Sequence, residues 1–388
     1  MTVVDEFLAA HGQRLVEVRR DLHAHPELSR EERRTTTLVH DALAHVGLSP
    51  RVLPGGTGLL CDIGPAPARI ALRADLDALP IPDLTGTRYR STVDGVSHAC
   101  GHDVHTTVVL GAGLALARLA TDGGLQRGVR LIFQPAEEAL PGGALDVMAA
   151  GGLDGIERIY ALHCDPSLDV GTVGLRVGPI TSASDHVEVR LAGPGGHTAR
   201  PHLTVDLVAA LGAVVTQTPG LLARRVDPRG GVLLVWGQAA AGTAGNVIPR
   251  TGVARGTVRT PSRELWATLP PQLEKVVREV AAPYGASVEV SYTRGVPPVV
   301  NDAESVAALA TAVRSDPKIG TATDTAQSLG GEDFGWYAEE VPGALARLGV
   351  RPIGSSGSLD LHQSNFDVDE RCIAVGVRLL VGVASAPA

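Results

Sequence analysis

The sequence is poor in aromatic residues, in cysteine and in positive charge, and each shortage argues against a class of protein. Phe, Trp and Tyr make up 3% of the 388 residues, and the formal net charge at pH 7 is -8. Nucleic-acid binding needs a basic surface and stacking platforms, so we expect no nucleic-acid partner. Irregularly spaced cysteines in a long chain give no disulfide framework and indicate reduced thiols. They are Cys61, Cys100, Cys164 and Cys372.

The sequence also lacks a recognisable signal peptide or membrane span. Residues 1–20 carry Asp5 and Glu6 and space their apolar residues like an amphipathic helix. A secretory signal would instead have a basic start and a continuous apolar centre. No later stretch has the length and apolarity expected of a span across a bilayer. We therefore expect a cytoplasmic protein with no membrane partner.

The length and the pattern of apolar residues predict two domains, the first of them α/β. A chain of this length suits two domains, each able to bury its own core. In the first part, helical and strand patterns alternate, which is typical of an open α/β sheet. The predicted helices cover residues 1–20, 35–46 and 106–119, and the predicted strands cover residues 59–63, 69–73, 129–134 and 156–163.

The pattern changes near Gly178. Between Asp185 and Tyr292 the order strand, helix, strand, strand, helix, strand is that of a ferredoxin-like α+β domain. The chain then returns to the first domain near Val296, with a strand at 345–348 and a closing helix at 369–383. We therefore predict a catalytic domain made of residues 1–180 and 295–388, and an inserted domain made of residues 181–294.

Residues able to bind a metal follow the predicted strands of the first domain. Asp75 and Asp77 follow one strand, Glu137 and Glu138 follow the next, and His163 ends a third. Ligands of open α/β sheets bind beyond the carboxyl ends of the strands, so these side chains are expected to meet. A thiol and imidazoles come from the segment Cys100-Gly101-His102-Asp103-Val104-His105. Thiolate, imidazole and carboxylate ligands suit zinc and its first-row neighbours, which indicates a hydrolytic metal site.

The adjacent carboxylates Glu137 and Glu138 are expected to do different work. Neighbouring side chains of an extended segment point in opposite directions. If Glu138 faces the metal, Glu137 then faces the attacking water and the substrate. A metal-activated water with a positioned carboxylate needs no serine or cysteine nucleophile.

Several motifs in the same order make the sequence resemble the M20-type metallopeptidases. Within them it resembles the amidohydrolase branch, which includes hippurate hydrolases, N-acyl-amino-acid amidohydrolases and auxin-conjugate hydrolases. The resemblance covers nearly the whole chain and implies an open-sheet metallopeptidase catalytic domain, of the phosphorylase/hydrolase type, with an inserted lid or dimerisation domain. The motifs are residues 20–27, 72–80, 100–105, 134–138, 193–197, 245–249 and 331–334, together with His362.

The resemblance implies a role for individual residues of the catalytic domain. Glu137 corresponds to the general base, and Asp75 to a residue that orients a histidine ligand. Arg73 stands where other branches of the clan have a metal-binding histidine, as expected of the amidohydrolase branch. The implied ligands of one or two Zn, Mn, Co or Ni ions are Cys100, His102, Glu138, His163 and His362.

In the inserted domain the resemblance implies that His197 stabilises the oxyanion of the tetrahedral intermediate, in its own subunit or in a partner. Asn246 and Arg259 are candidate substrate-binding residues, since a guanidinium suits the free carboxylate of an amino acid. The expected reaction is hydrolysis of the amide bond of an N-acyl amino acid or related conjugate by a homodimer or higher homo-oligomer. The alternatives are a dipeptidase or aminopeptidase with the same machinery, and a non-catalytic metal-binding homologue.

One segment departs from the pattern of the family. Many relatives have paired histidines and then a proline-containing segment near the C-terminus, whereas residues 361–366 read Leu-His-Gln-Ser-Asn-Phe. His362 retains the ligand position, but the wall of the pocket beside it is expected to differ. The substrate preference of a relative therefore does not transfer directly.

Overall fold

A computed structural model of the chain describes residues 2–355 and 360–386. In these residues the helices are α1 (Val3–Ala24), α2 (Arg33–His45), α3 (His102–Thr121), α4 (Ala144–Ala149), α5 (Leu207–Arg225), α6 (Arg263–Ala281), α7 (Ala303–Ser315), α8 (Phe334–Glu340) and α9 (Arg371–Ala384). The strands are β1 (Arg51–Val52), β2 (Leu59–Ile63), β3 (Ala68–Asp75), β4 (Gly128–Gln134), β5 (Arg158–Asp169), β6 (Thr172–Leu175), β7 (Gly178–Pro179), β8 (Ala183–Ala192), β9 (Gly196–His197), β10 (Leu233–Ala241), β11 (Val247–Ile248), β12 (Thr251–Thr260), β13 (Ser287–Val296), β14 (Val300–Asn301), β15 (Thr321–Asp324) and β16 (Gly343–Arg351).

The chain divides into two compact units. The first holds the residues up to Gly178, the segment Val300–Ala326 and the residues from Asp333 onward. The second holds Pro179–Val299 and the short segment Gln327–Glu332. The folds of the two units confirm the predicted α/β class with an inserted α+β domain.

The first unit contains an eight-stranded mixed sheet in the order β1-β2-β4-β3-β5-β16-β6-β15. Strand β3 pairs in parallel with β4 on one side and with β5 on the other. The carboxyl ends of these three neighbouring strands therefore lie at one edge of the sheet, which is the placement that the site requires.

Helix α3 is the central helix of this unit, and its small residues allow close packing. A Cβ atom on Gly113 would lie 2.3 Å from Cδ1 of Leu131 in β4. Fourteen of its residues are buried, and these include the first twelve, from His102 to Gly113. The helix therefore carries the residues of its first turn on a rigid support.

The expectation that no stretch is apolar enough to span a membrane was wrong for two helices, α3 and α5. Each contains an 18-residue stretch that is long and apolar enough to cross a membrane. In the protein, 67% of that stretch is buried in α3 and 39% in α5. Burial explains the composition of α3, because a helix packed on several sides is apolar around most of its circumference.

The second unit has the predicted βαββαβ order, formed by β8, α5, β10, β12, α6 and β13. Its antiparallel sheet has the strand order β10-β12-β8-β13, so the first strand lies between the third and the fourth, as in a ferredoxin-like domain. Apolar side chains of the sheet and of both helices form a separate core. A two-residue pair, β9 with β11, brings His197 opposite Val247.

Candidate metal centre

Cys100 and His102 are presented by a sharp turn at the start of α3. Gly101 has φ 83°, in the left-handed region, and is the residue that precedes the helix. A Cβ atom at this position would lie 2.7 Å from Sγ of Cys164. Only glycine satisfies both the backbone conformation and the close packing. The turn allows residues on either side of Gly101 to reach one centre.

Cys100, His102 and His163 form a buried group in which the three ligand atoms lie within 4.8 Å of one another. Sγ of Cys100 lies 3.6 Å from Nε2 of His163. Nδ1 of His163 lies 2.8 Å from the carbonyl oxygen of Cys164, and Nδ1 of His102 lies 2.8 Å from that of Asp77. A carbonyl can only accept, so each Nδ1 carries the proton and leaves Nε2 for a metal.

A second group, which overlaps the first, contains Cys100, Glu138 and His362. Nε2 of His362 lies 3.3 Å from Oε1 of Glu138, which is itself 3.9 Å from Nε2 of His102. His362 has φ 61°, and its backbone N–H donates to the carbonyl of Ala99. The five residues predicted as ligands are thus brought together, and Cys100 belongs to both groups.

The donor atoms fit a divalent transition-metal ion. Nε2 of His102 is buried and has no hydrogen-bond partner among the described residues. A buried ring nitrogen without a partner, beside a thiol and a carboxylate, matches the mixed nitrogen, sulfur and oxygen donors that zinc and its neighbours prefer.

The environment shifts the pKa of several of these groups. Burial raises the pKa of the Cys100 thiol and lowers the pKa of His163 well below its usual range. Hydrogen bonds with Cys100 and Glu138 raise the pKa of His362 to about 10. A bound cation favours the thiolate and the neutral imidazoles, so binding of a metal is coupled to release of protons.

Glu137 and Glu138 lie in a bend between β4 and α4, and the expectation of an extended segment was wrong. Ala136 before them has φ 54°. The backbone N–H groups of Glu137 and Glu138 donate to the two carboxylate oxygens of Asp77, at 2.9 and 3.0 Å. One oxygen of each glutamate lies within 4.8 Å of a ring nitrogen of His102. Both carboxylates therefore face the same centre.

Asp75 and Arg73 are buried beside this centre. Oδ1 of Asp75 lies 2.7 Å from Nδ1 of His105 but 3.8 Å from Nδ1 of His102. Arg73 donates to Asp75, to Asp333 and to Gln134. The guanidinium is thus fixed by two carboxylates and one amide oxygen, and Asp75 contacts a histidine outside the predicted ligand set.

Two contacts of the centre are not evident from the sequence, namely those of Asp77 and His105. Asp77 could be interpreted as a simple turn residue, yet it holds the backbone of both glutamates. Its place in the chain could have indicated this role. Asp77 comes two residues after the end of β3, and its carboxylate therefore lies at the carboxyl edge of the sheet.

The remaining predicted residues lie in the second unit. His197 is exposed, and its Nδ1 accepts a hydrogen bond of 3.0 Å from the backbone N–H of Ala199. Asn246 is exposed, and its backbone carbonyl oxygen accepts a hydrogen bond from the hydroxyl of Thr198. Arg259 in β12 donates to the carbonyl oxygen of Leu329 at 2.5 Å. The pairing of β9 with β11 brings His197 and Asn246 close, and the roles of all three residues stay predictions.

Comparison with known proteins identifies what the chain resembles. Residues 71–386 match the family model described as peptidase family M20/M25/M40. An N-acetyl-L-cysteine deacetylase of Bacillus subtilis (strain 168) is 38% identical over 94% of this chain and 86% of that protein. An N-acyl-L-amino acid amidohydrolase of Geobacillus stearothermophilus is 39% identical over 73% of this chain and 76% of that protein.

A third relative is much longer than this chain. It carries the name glutamate–cysteine ligase 2-3, from Rhodococcus jostii (strain RHA1), and is 53% identical over 372 residues. The match covers 96% of this chain but spans only 46% of the length of that relative.

Two solved structures share the fold over almost the whole chain. An aminohydrolase structure from methicillin-resistant Staphylococcus aureus has a TM-score of 0.92 at 27% identity, and covers 99% of this chain and 98% of the other. The Bacillus subtilis YXEP protein, described as a dinuclear metal-binding peptidase, has a TM-score of 0.85 at 33% identity, with 97% and 98% covered.

Proposed function

The chain belongs to peptidase family M20/M25/M40, and on this premise we propose that it is a metal-dependent amidohydrolase that cleaves the amide bond of N-acyl amino acids. Two overlapping groups of ligand atoms that share a thiol carry the proposal, and a carboxylate oxygen of Glu137 lies beside them. The groups are Cys100 with His102 and His163, and Cys100 with Glu138 and His362. Water adds to the acyl carbon, the C–N bond breaks, and the products are a carboxylic acid and a free amino acid.

Cys100, His102, Glu138, His163 and His362 would hold one or two divalent ions, of zinc, manganese, cobalt or nickel. Two overlapping groups of ligand atoms that share Cys100 support a pair of ions. When bound, such ions polarise the acyl carbonyl and make water a stronger nucleophile at neutral pH.

Glu137 is the proposed general base. Its backbone is fixed by Asp77, and a carboxylate oxygen lies within 4.8 Å of the ligand atoms of His102 and Glu138. From this position the carboxylate accepts a proton from the attacking water and delivers it to the leaving nitrogen. Proton transfer by a positioned group contributes on the order of 10²–10⁴ to the rate.

Residues of the second unit are proposed to act on the substrate, in their own subunit or in a partner. His197 would donate to the oxyanion that forms as water adds, and a preorganised donor of this kind contributes about 3 kcal/mol. Arg259 and Asn246 would bind the free carboxylate of the amino acid. His197 and Asn246 are exposed, and Arg259 is partly so, which supports contact with a substrate.

The proposed setting is the cytoplasm, with a homodimer or higher homo-oligomer as the working form. All four cysteines are buried and unpaired, which supports a reducing compartment. Strand β10 is an edge strand, and its Leu233 and Val235 are 42% and 49% exposed. An exposed apolar edge strand is a ready site for pairing with another chain.

The experiment that tests the function is a hydrolysis panel. Protein stripped with a chelator and reloaded with zinc, manganese, cobalt or nickel is offered N-acetyl, N-benzoyl and longer N-acyl amino acids, N-acetylcysteine among them, and free dipeptides. We expect metal-dependent release of amino acid from the acylated compounds. Cleavage of dipeptides alone, or no cleavage with any metal, would contradict the proposal.

A further inference from the structure

Both ring nitrogens of the buried His105 are engaged behind the candidate metal centre. Nδ1 lies 2.7 Å from Oδ1 of Asp75, and Nε2 lies 2.8 Å from the backbone nitrogen of Cys164. Because a backbone N–H can only donate, Nε2 must accept, and the ring proton lies on Nδ1 and is donated to Asp75. The tautomer of His105 is therefore fixed, and neither nitrogen is available to a metal.

Cys164, whose backbone N–H donates to His105, also orients His163 through its carbonyl oxygen. The carbonyl oxygen of Cys164 accepts a hydrogen bond of 2.8 Å from Nδ1 of His163, and Nε2 of His163 is turned toward Cys100. The ladder between β3 and β5 ends with the pair Arg73 and Ala161, so Cys164 lies beyond the reach of β3. On this side of β5 the side chain of His105 takes the place of a strand partner, while on the other side Cys164 pairs with Leu348 of β16.

Asp75 is itself held firmly at the end of β3. Its Oδ2 accepts a hydrogen bond of 2.7 Å from Nη1 of Arg73, and its backbone carbonyl accepts one of 2.9 Å from Oγ1 of Thr106. All three side chains are 1% exposed or less. Buried hydrogen bonds thus link Arg73 to Asp75, Asp75 to His105, and His105 to the backbone N–H of Cys164. The carbonyl oxygen of the same cysteine accepts from the ring of His163.

We propose that His105 is a positioning residue of the metal centre. It holds the backbone of Cys164 so that the carbonyl oxygen of this residue orients the ring of His163, with Nε2 toward the ion. Asp75 fixes the ring proton of His105 on Nδ1, which leaves Nε2 free to accept from Cys164. The grouping of Asp75, His102 and His105 is then a support for the site and not a further ion site. The inference rests on the proposed function, because it assumes that His163 binds the metal.

The test uses two substitutions, each of which retains one of the two hydrogen bonds of the His105 ring. In H105Q the side-chain carbonyl can reach the position of Nε2 and accept from Cys164. In H105N the shorter side chain can reach the position of Nδ1 and contact Asp75, but it leaves the N–H of Cys164 without an acceptor. T107V is the matched control, because Thr107 is buried in the same turn and its hydroxyl donates only to the carbonyl of Asp103.

Zinc affinity, measured by competition with a chromophoric chelator, and the absorption spectrum of the cobalt-loaded protein are the readouts. We expect H105N to lose about ten- to a hundredfold in affinity and to alter the cobalt spectrum, as removal of a partner of a ligand does elsewhere. H105Q and T107V should stay close to the wild type in zinc affinity and in the cobalt spectrum.

Two results would overturn the role of His105 and leave the proposed function standing. They are wild-type zinc affinity in H105N, and an equal loss of zinc affinity in H105N and H105Q. Failure of the wild type to bind zinc would overturn the proposed function as well.

Discussion

Sγ of Cys100 lies 3.6 Å from Nε2 of His163, although the two residues are 63 positions apart in the chain. The thiol precedes α3, and the imidazole lies in β5, so the contact depends on the packing of this helix against the sheet. Both groups are buried and carry donors that suit the same class of metal. This pair is the core of the candidate centre.

Replacement of Cys100 by serine should weaken metal binding. The change removes the thiolate that belongs to both groups of ligand atoms. Loss of a partner that only supports a ligand costs about ten- to a hundredfold in affinity, so loss of a direct ligand should cost at least as much. Metal content after dialysis against a weak chelator measures the effect. C61A is the control, because Cys61 is buried in β2; equal retention of metal by C100S and C61A would contradict the assignment.

Substitution of Gly101 by alanine should destabilise the turn that presents the ligands. The new Cβ would lie 2.7 Å from Sγ of Cys164, and the residue would keep φ near 83°. Gly123 is the control, since it has φ 70° and a Cβ atom there would meet nothing within 4 Å. G123A should lose only the left-handed preference, about 1 kcal/mol, and G101A should lose more. Chemical denaturation of both variants measures the difference, and equal losses would show that the contact with Cys164 is unimportant.

Stability should decrease as the pH rises from neutral to alkaline, because of His23. Burial disfavours the charged ring, but its hydrogen bond and charge interaction with Asp103 outweigh this and raise the pKa of His23 to about 9. A folded-state pKa above the unfolded value near 6.5 gives stability that is fully present below pH 6.5 and is lost as the pH passes 9.

The loss is on the order of 3 kcal/mol across this window for the wild type, by the same linkage. Urea unfolding between pH 6 and pH 9.5 measures it. The variant H23Q has no ring to titrate and should show a flatter profile. A wild-type profile as flat as that of H23Q would contradict the pKa shift.

The sequence predicted much of the fold because its local patterns agree with the packing. Periodic apolar residues indicated the helices and strands of the first unit, and the βαββαβ order of the second unit followed from the same reasoning. The starting point of α3 could not be predicted in this way. The helix begins at His102, directly after Gly101, and no side-chain cap marks its start. Glycine with a positive φ turns the chain into the helix instead.

The details of the site depended on contacts between distant residues. The bend at Glu137 and Glu138 is held by Asp77, 60 and 61 positions earlier, which accepts from both of their backbone N–H groups. Strand pairing alone could not reveal this contact. The partner of Asp75 was equally hidden, since His105 meets it only when α3 packs beside the end of β3.

The most direct test of the account is the turnover and metal content of E137Q. The substitution retains the size and hydrogen-bonding reach of the side chain but removes the base. We predict wild-type metal content and a loss of hydrolysis of N-acyl amino acids by about 10²–10⁴. E157Q is the control, because Glu157 precedes β5, is half exposed and pairs with Arg69, and it should retain full activity. Turnover in E137Q close to that of the wild type would contradict the role of Glu137 as the general base.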